Sequence, residues 1–207
     1  RELHEEVCRL SNVLKQRGKG VGIKLGIKEA GCSGYEYTFD FVDEVVDEAW
    51  EPLRNNPALN RLFYTASELG NFSLIWHILG LTQGLTRRKG YREAVRLAIA
   101  LGVESALVNG AIKSVFTRER PDTEEERPHN LRQPLTSSFP SGHASAAFMA
   151  ATILSERSKA KPLWFGAAFV VAVSRIHVKM HHASDVIVGA GIGLTLGKIV
   201  KKLVSFK

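Results

Sequence analysis

Cysteine is nearly missing from this chain, with only Cys8 and Cys32 among 207 residues. So few thiols exclude a disulfide framework and leave any cysteine-based metal site without its second half. Residues 1–20 are polar and charged and lack the apolar run that forms the core of a secretory signal. Acidic side chains are outnumbered by basic ones, 21 to 28, which gives a formal net charge of +7. That excess suits nucleic acid, an anionic membrane surface or a phosphorylated substrate, and its size alone does not choose among them. The length allows one domain with a real core, or one domain plus a small appendage.

The mean hydropathy of -0.06 averages two unlike pieces, a polar first third and a strongly apolar remainder. Within residues 1–45, a polar helix-like start is followed by alternating stretches at Ile23–Ile27 and Tyr35–Phe41. Glycines bound both stretches, which predicts two short strands. From Val45 onward strand signals fade. Residues 46–69 predict a polar helix broken near Pro52 and Pro57, with Leu59, Leu62, Phe63, Ala66 and Leu69 at helical spacing along an interface. Five apolar helices are then predicted at 71–86, 92–116, 142–157, 162–177 and 184–204.

Several of these fall short of the ~20 residues that span a bilayer comfortably. The last two are apolar nearly all round, as membrane helices are and one-sided surface helices are not. Glu104, Asn109 and Lys113 are costly against lipid and acceptable only inside a bundle. Small residues, Ala144, Ala146 and Ala147 in one helix and Gly189, Gly191 and Gly193 in another, permit close packing. The expected architecture is an all-α transmembrane bundle of about five apolar helices over 46–207, with an N-terminal appendage of β character over 1–45. A soluble bundle with a buried core is the alternative.

Three motifs carry the chemistry. Lys113 precedes Arg120 by seven residues, about two helical turns, so on a continued helix both cations share a face and can clamp phosphate oxygens until Pro121 stops it. Arg118 falls on another face and is set aside. Pro140-Ser141-Gly142-His143 turns straight into a helix whose free N–H groups make an anion site, with Gly142 allowing close approach and Ser141 adding a hydroxyl. His143 in that first turn is suited to proton exchange, since the helix dipole opposes its cationic form.

In the third motif, Ser174-Arg175 brings a bidentate phosphate clamp. His181 and Asp185 stand four residues apart, so the carboxylate can accept from one ring nitrogen while the other attacks phosphorus. His177 and His182 compete by position but have no carboxylate at that spacing. Each motif has an ordinary structural reading: surface cations, a serine cap, a helix-end ion pair. Jointly they supply the cations, acid and nucleophile of a phosphatase site.

Antiparallel connections put all three motifs at one end of the bundle. The other end collects Arg87, Arg88, Lys89, Arg92, Arg157, Lys159, Lys161, Lys198, Lys201, Lys202 and Lys207. By the positive-inside rule the basic end is cytoplasmic and the motif end extracytoplasmic, an arrangement expected of an integral protein of the cell membrane. Sorting of charge to one end also argues against nucleic acid as the partner.

The set Lys113-x6-Arg120-Pro121, Pro140-Ser141-Gly142-His143 and Ser174-Arg175-x5-His181-x3-Asp185 resembles the type 2 phosphatidic acid phosphatase superfamily over residues 46–204. The resemblance implies hydrolysis of phosphomonoesters or diphosphates without metal or other cofactor, through a phosphohistidine intermediate. Carried over, it makes His181 the nucleophile, Asp185 its orienting partner and His143 the acid. Lys113, Arg120, Ser141, Gly142 and Arg175 become phosphate-binding residues. The membrane branch of the superfamily implies a lipid phosphate substrate of the polyprenyl phosphate, polyprenyl diphosphate or phosphatidate type, and a soluble acid phosphatase is the alternative. The chain departs from the six-span pattern in having no evident first span.

Residues Gly18 to Phe41, above all Gly31-Cys32-Ser33-Gly34-Tyr35, resemble the start of A-type iron–sulfur carriers. The later Cys-x-Cys pair of that family is absent here, so the segment is expected to be a truncated or fused fragment. An iron–sulfur carrier-like adaptor is the remaining alternative function.

Overall fold

A computed structural model describes residues 24–30, 34–40, 43–86, 90–121, 136–156 and 158–204. The chain divides into two compact units, Arg1–Ala49 and Trp50–Lys207. In the first, β1 (Lys24–Ala30) pairs antiparallel with β2 (Gly34–Asp40), in a register running from Lys24 opposite Asp40 to Ala30 opposite Gly34. Cys8, Cys32 and the expected N-terminal helix lie outside the described residues.

Helix α1 (Asp43–Arg54) begins in the first unit and ends in the second, and from Trp50 onward the described residues of the second unit are helical or irregular. Pro52 does not break α1 as expected. It sits in the last turns, where one lost backbone bond shortens the ladder without ending it. The break comes at Asn56, whose side chain accepts from the N–H of Ala58 at 2.9 Å and of Leu59 at 3.3 Å to start α2 (Pro57–Gly70) with proline in its first turn. A tight turn, Asn71–Ser73, then leads to α3 (Leu74–Thr86), three residues later than the hydropathy pattern predicts. Phe72 and Ser73 hold left-handed φ values of 52° and 57° in that turn, a strained backbone kept by its surroundings.

Helix α4 (Gly90–Val115) is the longest, at 26 residues, or ~39 Å. Residues Ala106–Ile112 of it are π-helical. Nine residues of ideal α-helix rotate by about 900°, which would put Glu104 and Lys113 on opposite sides. The i→i+5 turns rotate less per residue, and the two side chains instead line one cavity. The helix ends at Val115 and Phe116 is extended, with φ −113° and ψ 140°. Lys113 and Arg120 therefore do not share a helix face; an extended segment carries Arg120 back over the bundle.

Helix α5 (Gly142–Leu154) is the centre of the unit, buried everywhere except Gly142, His143 and Phe148. Trp76, Leu97, Leu101 and Val171 from three neighbouring helices pack around its Met149 and Ile153. Thirteen residues are too few to span a bilayer, but a helix wrapped by its neighbours meets no lipid. Helix α6 (Lys161–His177) and helix α7 (Ala183–Leu203) complete the bundle. On α7, a Cβ at Gly189 or Gly193 would collide with the backbone oxygens of Ser141 and Ser145, and one at Gly197 would come within 2.7 Å of Thr152. Gly191, expected to share this stripe, faces open space. The stripe runs every fourth residue, as one face of a helix must.

Candidate active site

Three loops meet at one end of the bundle, and backbone bonds join them. Ser138 N donates to Arg118 O at 2.9 Å, and Ser141 N donates to Asp185 O at 3.0 Å. Met180 N and His181 N both donate to the Arg175 carbonyl, at 3.0 and 3.1 Å. This last pair folds the third loop back on itself through Lys179, whose φ is 50°.

Below these loops lies a cavity of about 500 Å³. Lys113, Gly142, His143, Arg175 and His181 line it, together with Asn71, Glu104 and Asn109. Arg120, Ser141 and Asp185 stand behind the wall. Lys113, Arg175 and His181 are 6%, 2% and 3% exposed, so the two cations act on the ring through little water.

Each residue is held by named partners. Arg175 reaches down α6 and donates through Nη1 to the Ser67 hydroxyl of α2. His143, in the first turn of α5, faces the strained α2–α3 turn, its Nε2 3.1 Å from Asn71 Oδ1. Gly70 makes this approach possible, because a Cβ there would lie 2.7 Å from the imidazole. Gly142 leaves room for Asn109 in the same way, at 2.7 Å from its Oδ1. The Ser141 hydroxyl caps α5 by accepting from Ala144 N at 3.4 Å. Arg120 ties the other two loops together, donating through Nη1 to Met180 O at 2.7 Å and through Nη2 to Thr136 O at 3.1 Å.

Asp185 is fully buried in the first turn of α7. Its Oδ2 accepts from Ser138 Oγ at 2.5 Å and from His182 N at 2.9 Å, while His181 Nδ1 lies 3.6 Å from the same oxygen, beyond hydrogen-bond reach. Its Oδ1 accepts from Arg118 Nη1 at 2.7 Å. The carboxylate thus caps the helix and faces His181 at once.

Arg118 corrects the sequence expectation. The irregular segment after Val115 has no helical faces, so the residue set aside as pointing elsewhere reaches Asp185 and the Ser184 hydroxyl, each at 2.7 Å. His177 is removed as a competing nucleophile. Trp50 Nε1 donates to its Nδ1 at 3.1 Å, Asn60 Oδ1 lies 2.6 Å from its Nε2, and Phe63 stacks on it at 4.6 Å. His182 starts α7. Ser67, Asn71 and Ser138 carried no motif signal, being isolated polar residues brought in by tertiary contact alone.

The chemistry of the His181 pocket follows from its burial. Loss of water disfavours the imidazolium, outweighs the pull of Asp185 and pushes the pKa of His181 down to about 3; the cations Arg175 and Lys113 push the same way more weakly. The ring is therefore neutral and nucleophilic at ordinary pH.

The profile of the PAP2 superfamily matches residues 93–207. The decaprenylphosphoryl-5-phosphoribose phosphatase of Mycobacterium tuberculosis is 34% identical over 134 residues, covering 65% of this chain and 74% of that protein. Among solved structures, Aquifex aeolicus LpxE superposes with a TM-score of 0.62 at 31% identity, over 78% of this chain and 93% of its own. A transmembrane PAP2-type phosphatidylglycerolphosphate phosphatase from Bacillus subtilis gives a TM-score of 0.60 at 27% identity, over 80% of this chain and 88% of its own. The chain belongs to the PAP2 superfamily and is a phosphatase.

It is also a membrane protein. Both α4 and α7 are long and apolar enough to cross a bilayer, and α4 exposes Tyr91, Val95, Ile99, Val103 and Leu107 at every fourth position, a stripe that suits lipid. A separate 40-residue stretch is 50% identical to the iron-binding protein IscA of Yersinia pestis, covering 19% of this chain and 37% of that protein. The donor set for a cluster does not fit, since no cysteine follows Cys32.

Proposed function

We propose that the protein hydrolyses a lipid phosphate, of the polyprenyl phosphate, polyprenyl diphosphate or phosphatidate type, through a phosphohistidine formed at His181. The observation that carries this reading is the shared cavity: the cations Lys113 and Arg175 and the buried imidazoles of His143 and His181 line one space of about 500 Å³ inside a membrane bundle. Asp185, 3.6 Å from His181 Nδ1, favours a proton on that nitrogen and leaves Nε2 to attack phosphorus. Lys113, Arg175 and the N–H groups of Gly142 and His143 hold the phosphoryl oxygens as charge builds on them, while Arg120 and Ser141, behind the wall, brace the loops that carry these donors. His143 protonates the leaving oxygen, then takes a proton from the water that cleaves the phosphorus–nitrogen bond and restores His181.

The far end of the bundle carries Arg92, Lys159, Lys161, Lys198, Lys201 and Lys202, which supports a cytoplasmic basic end and an extracytoplasmic site in the cell membrane. We assign the phosphatase to residues 46–207 and treat residues 1–45 as a fused fragment of an iron–sulfur carrier. Purified protein assayed with EDTA against polyprenyl diphosphate, polyprenyl monophosphate and phosphatidate tests the reading. Wild type releases phosphate from at least one, and acid quenching traps labelled phosphohistidine; His181→Ala abolishes both with the folded amount unchanged. Retained turnover in that variant overturns the mechanism.

A further inference from the structure

The site cavity contains one acidic side chain that the proposed reaction does not use. Glu104 is 2% exposed and lines the same space as Lys113, His143, Arg175 and His181. Its Oε1 has no hydrogen-bond partner among the described residues, and its polar neighbours are Lys113 and Ser145. Behind it lies a second, apolar groove of about 510 Å³, bordered by Val95, Ile99, Val103, Met149 and Leu196. Glu104 borders both spaces and stands at the seam between them.

A carboxylate in this place is doubly unfavourable. It sits on a membrane helix, where ionisable groups are costly, and it faces a pocket built to attract anions. While it is ionised an anionic phosphate oxygen cannot satisfy it, since both are then acceptors. What can is a hydrogen-bond donor carried by the substrate close to its phosphate. The π-helical turns strengthen the point, because without their reduced rotation Glu104 would face away from Lys113 and the cavity.

Resting on the phosphatase reading above, we infer that Glu104 is a specificity-determining residue that accepts a hydrogen bond from a hydroxyl of the substrate headgroup. The lipid phosphate preferred over the polyprenyl phosphate, polyprenyl diphosphate and phosphatidate types then carries its phosphate on a hydroxylated unit, a polyol or sugar attached to the lipid, and not directly on the lipid chain. A site that pairs a buried acceptor with a substrate hydroxyl discriminates against analogues lacking it, because the acceptor is left unpaired.

The test compares phosphatidylglycerol phosphate with phosphatidate, which share acyl tails and differ by a glycerol phosphate whose glycerol carries one free hydroxyl. Wild type prefers the former in kcat/KM. Glu104→Leu lowers kcat/KM for phosphatidylglycerol phosphate by about 10- to 100-fold and leaves phosphatidate unchanged or improved, so the preference collapses. Glu104→Gln, isosteric and still an acceptor, keeps part of the preference, and this partial loss supplies the comparison should the leucine variant not fold. A ratio unchanged in both variants overturns the inference, whether the two rates fall together, as a mere support of Lys113 would make them, or stay at wild-type level. Release from neither lipid with polyprenyl diphosphate still hydrolysed overturns this inference alone; release from none of the lipid phosphates overturns the proposed function, and this inference with it.

Discussion

Arg118 Nη1 and Asp185 Oδ1 lie 2.7 Å apart, joining the first motif segment to the carboxylate behind the nucleophile. Asp185 has no exposure and Arg118 is about a quarter exposed, so the bond forms where water competes little. With Ser138 and the His182 N–H on Oδ2, three donors fix the carboxylate plane, and that plane decides where His181 can point.

Removing the guanidinium should therefore act through Asp185. Arg118→Ala is expected to lower kcat by about 10- to 100-fold and to cost about 1–3 kcal/mol of stability, the range for leaving a buried charged acceptor short of a partner. Arg118→Lys, which keeps the charge and one donor, recovers most of the stability and part of the rate. Steady-state kinetics with thermal unfolding in detergent measures both. A wild-type kcat in the alanine variant would mean Asp185 is held well enough without it.

The geometry around His143 separates acid catalysis from phosphate binding. Its Nε2 lies 3.1 Å from Asn71 Oδ1, and it lines the same cavity as His181. His143→Ala should slow an alkyl phosphate by about 10²- to 10⁴-fold, the usual worth of a placed general acid. It should slow p-nitrophenyl phosphate far less, because nitrophenolate leaves without a proton. Equal losses on both esters would move His143 from acid to binding residue.

Much of this site was legible in the sequence because its parts are local. Glycine and proline punctuation with apolar runs located α5, α6 and α7 to within a few residues. Alternating helix direction then brought the motif loops to one end. What stayed hidden was non-local or phase-dependent. A π-helical segment leaves no hydropathy trace, yet it sets which residues accompany Lys113 into the cavity. The helix end at Val115 stripped the face argument from Arg118 and Arg120. Trp50 and Asn60, clamping His177 from more than 100 residues away, have no periodicity to betray them.

Burial of His181 predicts how the fold responds to acid. Its pKa is about 3 in the folded protein against 6.5 for the ordinary imidazole. Between those values the unfolded chain binds the extra proton and the folded one does not, so stability is full above pH 6.5 and is lost as pH falls toward 3. The slope from this one group reaches up to about 1.4 kcal/mol per pH unit. Melting temperatures in detergent from pH 7 to 4 should fall more steeply for wild type than for His181→Asn, which keeps the polar shape without the titration. Parallel curves would mean that His181 is protonated equally in both states.

The α7 glycines give a prediction with its own control. At Gly193 a Cβ would collide with the Ser145 backbone oxygen, and backbone on α5 has nowhere to retreat because that helix is buried on every side. Gly193→Ala should force the two helices apart and cost about 1–3 kcal/mol, the range for overpacking a close-fitted core. It should also lower activity, since Ser141 and His143 ride on the same helix. Gly191→Ala, two residues away, meets nothing within 4 Å. There the alanine only gains helix propensity, so stability should hold or rise by about 0.5–1 kcal/mol. Thermal unfolding of the two variants side by side reads the packing face directly, and equal melting temperatures would refute the glycine stripe as the contact between α5 and α7.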